Sequence, residues 1–436
     1  MGILQQLAAR NAGNDAPFLI TPTDRLTFAE IAAEASGIET LLNEVKSGDV
    51  VAIIGDFDRP SIAAMLQLLD KNAIVVPLTD GTCADHPYFL ESAGAEWVLR
   101  DGKLTRSGLS ETRPVSPLIE ELRVSEHPGI IFFSSGTTGR PKAILHDFQN
   151  FLARYAEPRP ALRTLNFLLF DHAGGINTML HTLFNRGTTI APSERTPDSV
   201  AEAIERENIE LLPTTPTFLR MMLLGGSFES RKLPSLRVIT YGTERMDQGT
   251  LDRLCALLPN VDFRQTYGLS ELGVFQVKSK ARDSLWMKIG GAGLETKIVD
   301  GVLQIGSANR MLGYLNAPSP FVEGWYNTGD VVEEQDGFIR IVGRASEVFN
   351  VGGLKILPGE VERIALEYEG VLRAKAYGVS NPITGQHIEI ICEPQEGVTL
   401  ERRALMGHFR SRLQKQLCPH KIIIGAVSVS HRFKQQ

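Results

Sequence analysis

The stretch Ser134-Ser135-Gly136-Thr137-Thr138-Gly139-Arg140-Pro141-Lys142 decides how this chain is read. It follows the apolar run Gly129-Ile130-Ile131-Phe132-Phe133 and precedes Ala143-Ile144-Leu145-His146. Hydroxyl side chains, glycines that let backbone N–H groups converge, and a lysine are the parts of a loop that wraps phosphate oxygens. The spacing is not that of a Walker loop, in which Gly-x4-Gly-Lys-Ser/Thr runs into a helix. Pro141 fixes its own φ and makes the residue before it extended. The apolar run after it predicts a second strand. The layout is strand–loop–strand, without the helix N-terminus that helps a Walker loop hold its anion. A plain Gly/Ser turn uses the same residue types. By itself, then, the loop says phosphate, with ATP the leading nucleotide.

Composition sets the outer bounds. With 436 residues the chain is too long for one hydrophobic core. Its 43% hydrophobic and 22% charged content are those of an ordinary soluble globular protein. A net charge of -6 argues against a broad nucleic-acid-binding face. Cys83, Cys255, Cys392 and Cys418 are scattered, without a C-x-x-C pair, and read as reduced core residues of a cytoplasmic protein. No apolar run is long enough to span a membrane, and the first residues carry neither a signal-peptide nor a myristoylation pattern. Nothing in the sequence indicates an oligomeric state.

Helices and strands alternate through the first part. Thr27 and Glu30 are spaced as a capping box before Phe28, Ile31, Ala32, Ala35, Ile38 and Leu42. Residues 50–54 and 73–77 read as buried strands, and Pro60 opens a helix running to Leu69. The pattern returns with a helix over 199–207 and strands over 209–212 and 236–240, the last ending at Tyr241-Gly242-Thr243-Glu244. Such alternation implies parallel α/β layers. Ligands collect beyond the carboxyl ends of such strands, which makes Gly242, Thr243 and Glu244 pocket candidates. From about Gly301 the strands become short and hairpin-like. A boundary near Gly343-Arg344-Ala345-Ser346 divides the chain into 1–344 and 345–436. The second part predicts helix 360–368, strands 371–379 and 387–392, helix 401–417 and a strand over 422–429.

Three more stretches join the loop. Gln265-Thr266-Tyr267-Gly268-Leu269-Ser270-Glu271 puts an aromatic face for a base, a glycine and a carboxylate suited to Mg2+ close together. Trp325-Tyr326-Asn327-Thr328-Gly329-Asp330 offers a carboxylate for ribose hydroxyls. Gly343-Arg344 and the glycine-rich run from Asn350 through Gly352-Gly353 to Glu362 follow. Taken singly these are turns, solvated aspartates or surface ion pairs; in this order they carry more.

Together they resemble the adenylate-forming superfamily: acyl-CoA and aryl-CoA synthetases, adenylation domains of peptide synthetases, and firefly luciferase. The resemblance runs from Leu26 nearly to the end of the chain. It implies an α/β fold: a large N-terminal domain of two α/β layers plus a distorted β-barrel, and a small mobile α+β C-terminal domain. It also assigns roles. Ser134, Ser135, Gly136, Thr137, Thr138, Gly139 and Lys142 would cradle the β- and γ-phosphates of ATP. Gly242, Thr243, Glu244 and Tyr267 would surround the adenine. Glu271, with a hydroxyl of Ser270, Thr137 or Thr138, would hold Mg2+. Asp330 and Arg344 would take the ribose. Gly352 and Gly353 would line a tunnel for the pantetheine of CoA. Ser346 stands at the hinge, where the family more often has Asp or Lys. The family's catalytic lysine falls nearest Lys434, although Phe433 stands where a glycine is usual and the preceding proline is absent. Lys421 or Arg432 are substitutes, and a disordered basic tail is the plain alternative.

The implied reaction activates a carboxylic acid as its acyl-adenylate and passes it to a thiol. CoA is the first expectation and an acyl carrier protein the second; a non-catalytic binding homologue is the rival from outside enzymology. Catalysis would be positioning and charge neutralisation by Lys142, Glu271 with Mg2+, Thr138 and Lys434, with His172 also in the catalytic set. Phe167-Leu168-Leu169-Phe170-Asp171-His172-Ala173-Gly174-Gly175 matches the segment beside the acyl pocket. His172 and Gly174 favour a plain acid and Asp171 an amino-bearing one; either polar residue could instead cap the next helix. Gly242 and Gly268 complete the acid-binding set. Arg402, Arg403, Arg410, Arg412 and Lys415 could meet CoA phosphates or an acidic carrier, or form a solvated helix face.

Overall fold

A computed structural model describes residues 2–109, 114–134, 140–291, 293–351, 353–382 and 385–429. The expected sites at 135–139, Gly352, Arg432 and Lys434 lie outside these residues.

Two seven-stranded sheets carry the first part. The first runs Asp262–Gln265, Val238–Tyr241, Leu211–Thr214, Arg163–Leu165, Thr188–Ile190, Pro17–Ile20 and Arg25–Thr27, parallel except for the last strand. The second has a parallel centre of Gly129–Phe133, Ile74–Leu78, Val50–Ile54 and Trp97–Arg100. Antiparallel strands flank that centre, Ala143–Asp147 and Gly313–Tyr314 on one side and Lys103–Arg106 on the other.

Alternation along each strand sorts its residues between layers. Val51, Ile53, Val75, Ile130 and Phe132 face a shared middle layer with Leu7, Ile31, Met65 and Ile176, from four helices between the sheets. Val50, Ala52, Ile74, Val76, Ile131 and Phe133 face the opposite way, onto Phe89, Ile119 and Leu122. The outer face of the first sheet packs Leu212, Ile239 and Phe263 on Val200, Phe218 and Leu254. Helix starts follow local chemistry. Thr27 and Glu30 form the capping box of Phe28–Gly37, and Asp58 caps Arg59–Asp70 with proline in its first turn.

Antiparallel strands between 276 and 344 form the third sheet, whose pairing path stays open at its ends as a half-barrel. Beyond it, five strands and the helices Pro358–Leu366 and Arg402–Arg412 enclose a core of their own around Val361, Ile364, Ile388, Ile390, Leu405 and Phe409. The helix expected over 401–417 stops at Arg412, because Leu413 turns extended and a short turn, Lys415–Leu417, follows. This unit meets the first part through Arg220, a buried residue of helix Pro216–Leu224. Arg220 donates to the carbonyls of Leu366 (3.2 Å), Val371 (3.1 Å) and Leu372 (2.8 Å), and to Thr250 Oγ1 (2.7 Å).

Among the described residues no helix is long and apolar enough to cross a membrane. All four cysteines are free; Cys392 is buried, but Cys83 is exposed on the short turn Asp80–Asp85, so the expectation of four core cysteines is corrected.

Candidate active site

The strands flanking the opening loop pair antiparallel, Phe133 opposite Ala143, as the strand–loop–strand reading requires. Two hydrogen bonds close the loop's neck: Ser134 N–H donates to Lys142 O (3.1 Å), and Lys142 N–H to Ser134 Oγ (3.0 Å). Lys142 is exposed, with Nζ 4.8 Å from the centre of the Tyr314 ring. The Tyr314 hydroxyl donates to Glu271 Oε1 at 2.7 Å, and Tyr326 also reaches Glu271. Burial, with the Glu271 charge adding to it, pushes both phenols up, so they stay protonated donors. His146 sits beneath and donates from Nε2 to Ser270 O at 2.6 Å. Burial drives that imidazole down to about 4, so it is neutral.

Glu271 is buried and its partners are tyrosine hydroxyls; among the described residues no lysine or arginine pairs with it. A buried carboxylate without a counter-charge fits a cation. No cluster of three or more metal-ligating side chains occurs among the described residues. The single Glu271 carboxylate is a donor of the kind Mg2+ takes, since that ion uses one or two carboxylates and completes its shell with phosphates and water.

A second chain of contacts runs through Asp330. The Tyr267 hydroxyl donates to Asp330 Oδ2 at 2.5 Å, and Arg344 Nε lies 2.9 Å from Oδ1. Thr328 Oγ1 accepts from Asp330 N–H (3.0 Å) and donates to Leu303 O (2.8 Å), fixing the bend that aims the carboxylate. Burial pushes Asp330 upward, and Arg344 and the Tyr267 hydroxyl oppose it. The Tyr267 ring is buried and stacks on Phe275, with centroids 6.0 Å apart.

Gly242 and Thr243 end the strand Val238–Tyr241. A Cβ on Gly242 would lie 2.2 Å from Thr266 Oγ1 and 2.7 Å from Thr266 O, so only glycine lets these strand ends converge. Thr243 follows with φ at 70°, exposed. Glu244 accepts from Thr217 N–H at 2.7 Å, tying that turn to helix Pro216–Leu224. Gly268 pairs with Val274 in a tight hairpin carrying Glu271 near its turn. The hairpin's second strand packs on helix Ala173–Phe184. His172 is that helix's N-cap; its Nδ1 accepts from Gly174 N–H at 3.0 Å, which leaves the ring proton on Nε2. Asp171 and Gly174 are buried beside it. Gly353 is exposed with φ at 86°.

Tyr314 thus joins the loop neck to Glu271, and Asp330 stands on the same strand as Tyr326, which reaches Glu271; the helix that His172 caps packs on the hairpin's second strand. Sequence reasoning missed Tyr314, Tyr326 and His146. Tyr326 lies inside a quoted stretch, but its partner is 55 positions earlier in the chain. Tyr314 has no local signal at all.

The fold and these contacts define an adenylate-forming enzyme. The model of the AMP-binding enzyme family matches residues 5–315, and the chain belongs to that family. It is an AMP-forming acid–thiol ligase. Among its relatives, the medium/long-chain-fatty-acid–[acyl-carrier-protein] ligase FadD10 of Mycobacterium tuberculosis is 27% identical, over 92% of this chain and 87% of its own. A feruloyl-CoA synthase of an Amycolatopsis species is 26% identical, over 91% and 89%. The fold matches the anthranilate CoA ligase AuaEII in complex with anthranoyl-AMP (TM-score 0.83, 17% identity, 100% of this chain and 95% of that one). ATP-bound MatB from Rhodopseudomonas palustris matches with a TM-score of 0.81 and 20% identity, over 100% and 97%. The expected α/β architecture, two layered sheets with a half-barrel and a small last unit, agrees with these likenesses.

Proposed function

We propose that the protein joins a carboxylic acid to CoA through an acyl-adenylate. A carboxylate oxygen attacks the α-phosphorus of ATP, the bond to the β-phosphate oxygen breaks, and pyrophosphate leaves. The CoA thiolate then attacks the acyl carbon, AMP leaves with the bonding pair, and the thiol proton passes to solvent. The observation that carries this reading is the continuous run Lys142–Tyr314–Glu271 beside Tyr267–Asp330–Arg344. It supplies a cation for phosphate, an uncompensated carboxylate for Mg2+ and an oriented carboxylate for a diol.

In this reading the loop 134–142 grips the β- and γ-phosphates. Gly242, Thr243, Glu244 and Tyr267 border the adenine, and Asp330 with Arg344 takes the ribose hydroxyls. Glu271 holds Mg2+, whose charge offsets that of the phosphates. Asp171, His172, Gly174 and Gly268 frame the acid. Residues 345–436 form the swivelling domain that brings Lys434 to the first half-reaction and Gly352 and Gly353 to the second. The setting is cytoplasmic. A carrier protein is the second reading, favoured by the likeness to FadD10 and by the exposed Arg402, Arg403 and Arg410.

Pyrophosphate release over a panel of acids, with CoA or a phosphopantetheinylated carrier present, tests both. Acid-dependent release with acyl-CoA as product is expected. Product only on the carrier selects the second reading, and no release with any acid overturns both.

A further inference from the structure

Arg154 stands under the hairpin that carries Glu271, on the short turn Ala153–Tyr155. Its Nε and Nη1 atoms are shielded from solvent and have no hydrogen-bond partner. No carboxylate among the described residues pairs with it. Its guanidinium lies over the Phe151 ring, 4.3 Å from the centroid. The residue as a whole is half-buried, with these two nitrogens turned inside; a guanidinium so shielded and without an anion is unfavourable, and a carboxylate brought by a ligand would relieve it.

The surroundings are shaped around it. A Cβ on Gly273 would fall 2.4 Å from Nη1 and 2.5 Å from Nη2, so glycine there makes room for the guanidinium. Gly273 belongs to the strand opposite Gly268–Leu269, and that strand packs on helix Ala173–Phe184, which His172 caps. Tyr155, the next residue, donates to Asn177 Oδ1 of this helix at 2.9 Å. Arg154 therefore sits against the hairpin that carries Glu271, and its neighbour Tyr155 is tied to the helix that His172 caps. The titratable groups facing it are His146, held neutral by burial, and Tyr155, which burial keeps protonated; neither supplies a negative charge.

We infer that Arg154 is a specificity-determining residue, and that the acid is a dicarboxylate whose second carboxylate pairs with this guanidinium while the first is activated. The inference rests on the adenylate-forming reading of the same site and names its substrate class. A planar guanidinium offers two parallel N–H donors to a carboxylate, which an apolar acyl terminus leaves unused.

Two measurements on the full-length protein test it. The first compares acid-dependent pyrophosphate release with straight-chain and aromatic dicarboxylates against their matched monocarboxylates. The best dicarboxylate should exceed its match in kcat/KM on the order of tenfold to a hundredfold. In Arg154→Met that ratio should collapse towards one, and in Arg154→Lys it should be partly kept. The second is the thermal shift caused by the same acids without ATP, which needs no turnover. Dicarboxylates should raise the Tm of the wild type, monocarboxylates should not, and Arg154→Met should lose the response. A wild type that prefers monocarboxylates, or a dicarboxylate preference unchanged in Arg154→Met, overturns the inference. Arg154-dependent binding without pyrophosphate release from any acid overturns the adenylate reading instead.

Discussion

Tyr267 holds Asp330 by a 2.5 Å hydrogen bond to Oδ2, while Arg344 Nε lies 2.9 Å from Oδ1. The carboxylate is thus oriented from both sides before any hydroxyl reaches it. Burial pushes its pKa up, and the phenol opposes that rise. In Tyr267→Phe the opposing hydrogen bond is gone and the pKa climbs further. Asp330 must be ionised to accept from ribose, so the acidic limb of activity should move to higher pH. KM for ATP should rise about tenfold at neutral pH, the worth of one charged hydrogen bond. An unshifted limb with unchanged KM would show that Asp330 does not meet the nucleotide.

Glu271→Gln keeps an acceptor for the Tyr314 hydroxyl but removes the charge. The adenylation rate should fall by about a hundredfold, and the Mg2+ concentration for half-maximal rate should rise. Thermal stability should hold or improve, because a buried charge without a cation is removed. Wild-type Mg2+ dependence in the variant would place the metal elsewhere. Chelation with EDTA should abolish adenylation by the parent protein and leave its fold intact.

His146 makes stability fall with acid. Burial, with the Arg154 charge in the same direction, lowers its folded pKa from 6.5 to about 4. Below about pH 6.5 the unfolded chain takes a proton that the folded one refuses, so stability is lost as pH falls from there to about 4. Over that window the loss amounts to roughly 3 kcal/mol. Urea midpoints measured between pH 7 and 5 should decline, and His146→Gln should flatten the decline. Equal slopes in the two proteins would remove His146 as the cause.

Arg220 ties helix Pro216–Leu224 to the last unit through three carbonyls. Arg220→Met removes these bonds while filling the space with apolar atoms. Amide exchange over residues 366–372 should speed up, and proteolysis between 344 and 348 should become faster than in the parent. A loss of about 2–4 kcal/mol from docking is expected. Exchange rates that stay at parental values would mean the surrounding packing suffices without Arg220.

Local chemistry made much of this fold legible. The Thr27–Glu30 capping box, the proline opening the helix Arg59–Asp70, and the β-branched runs at 50–54 and 74–78 carry their structure in neighbouring residues. Strand limits were less legible, since they depend on partners. The strands expected from Ile209 and Leu236 begin at Leu211 and Val238, two residues later in each case, because those residues pair with each other and with the strand beyond. In the site, Glu271 and Asp330 stand in recognisable motifs. Tyr314 and Arg154 act through residues far away in the chain, and nothing beside them in the sequence announces it.

The pairing of Gly313–Tyr314 with Ala143–Asp147 also has a temporal meaning. The rest of the second sheet comes from residues 50–147, so during synthesis most of it is available long before its last strand leaves the ribosome. Tyr314, the donor to Glu271, is on that last strand. Such closure over a long stretch of chain is intrinsically late. A nascent or truncated chain ending before Gly313 would own the layered sheets but not the Tyr314 donor to Glu271, so in the reading proposed above the metal-holding carboxylate is oriented only after nearly three quarters of the chain has been made.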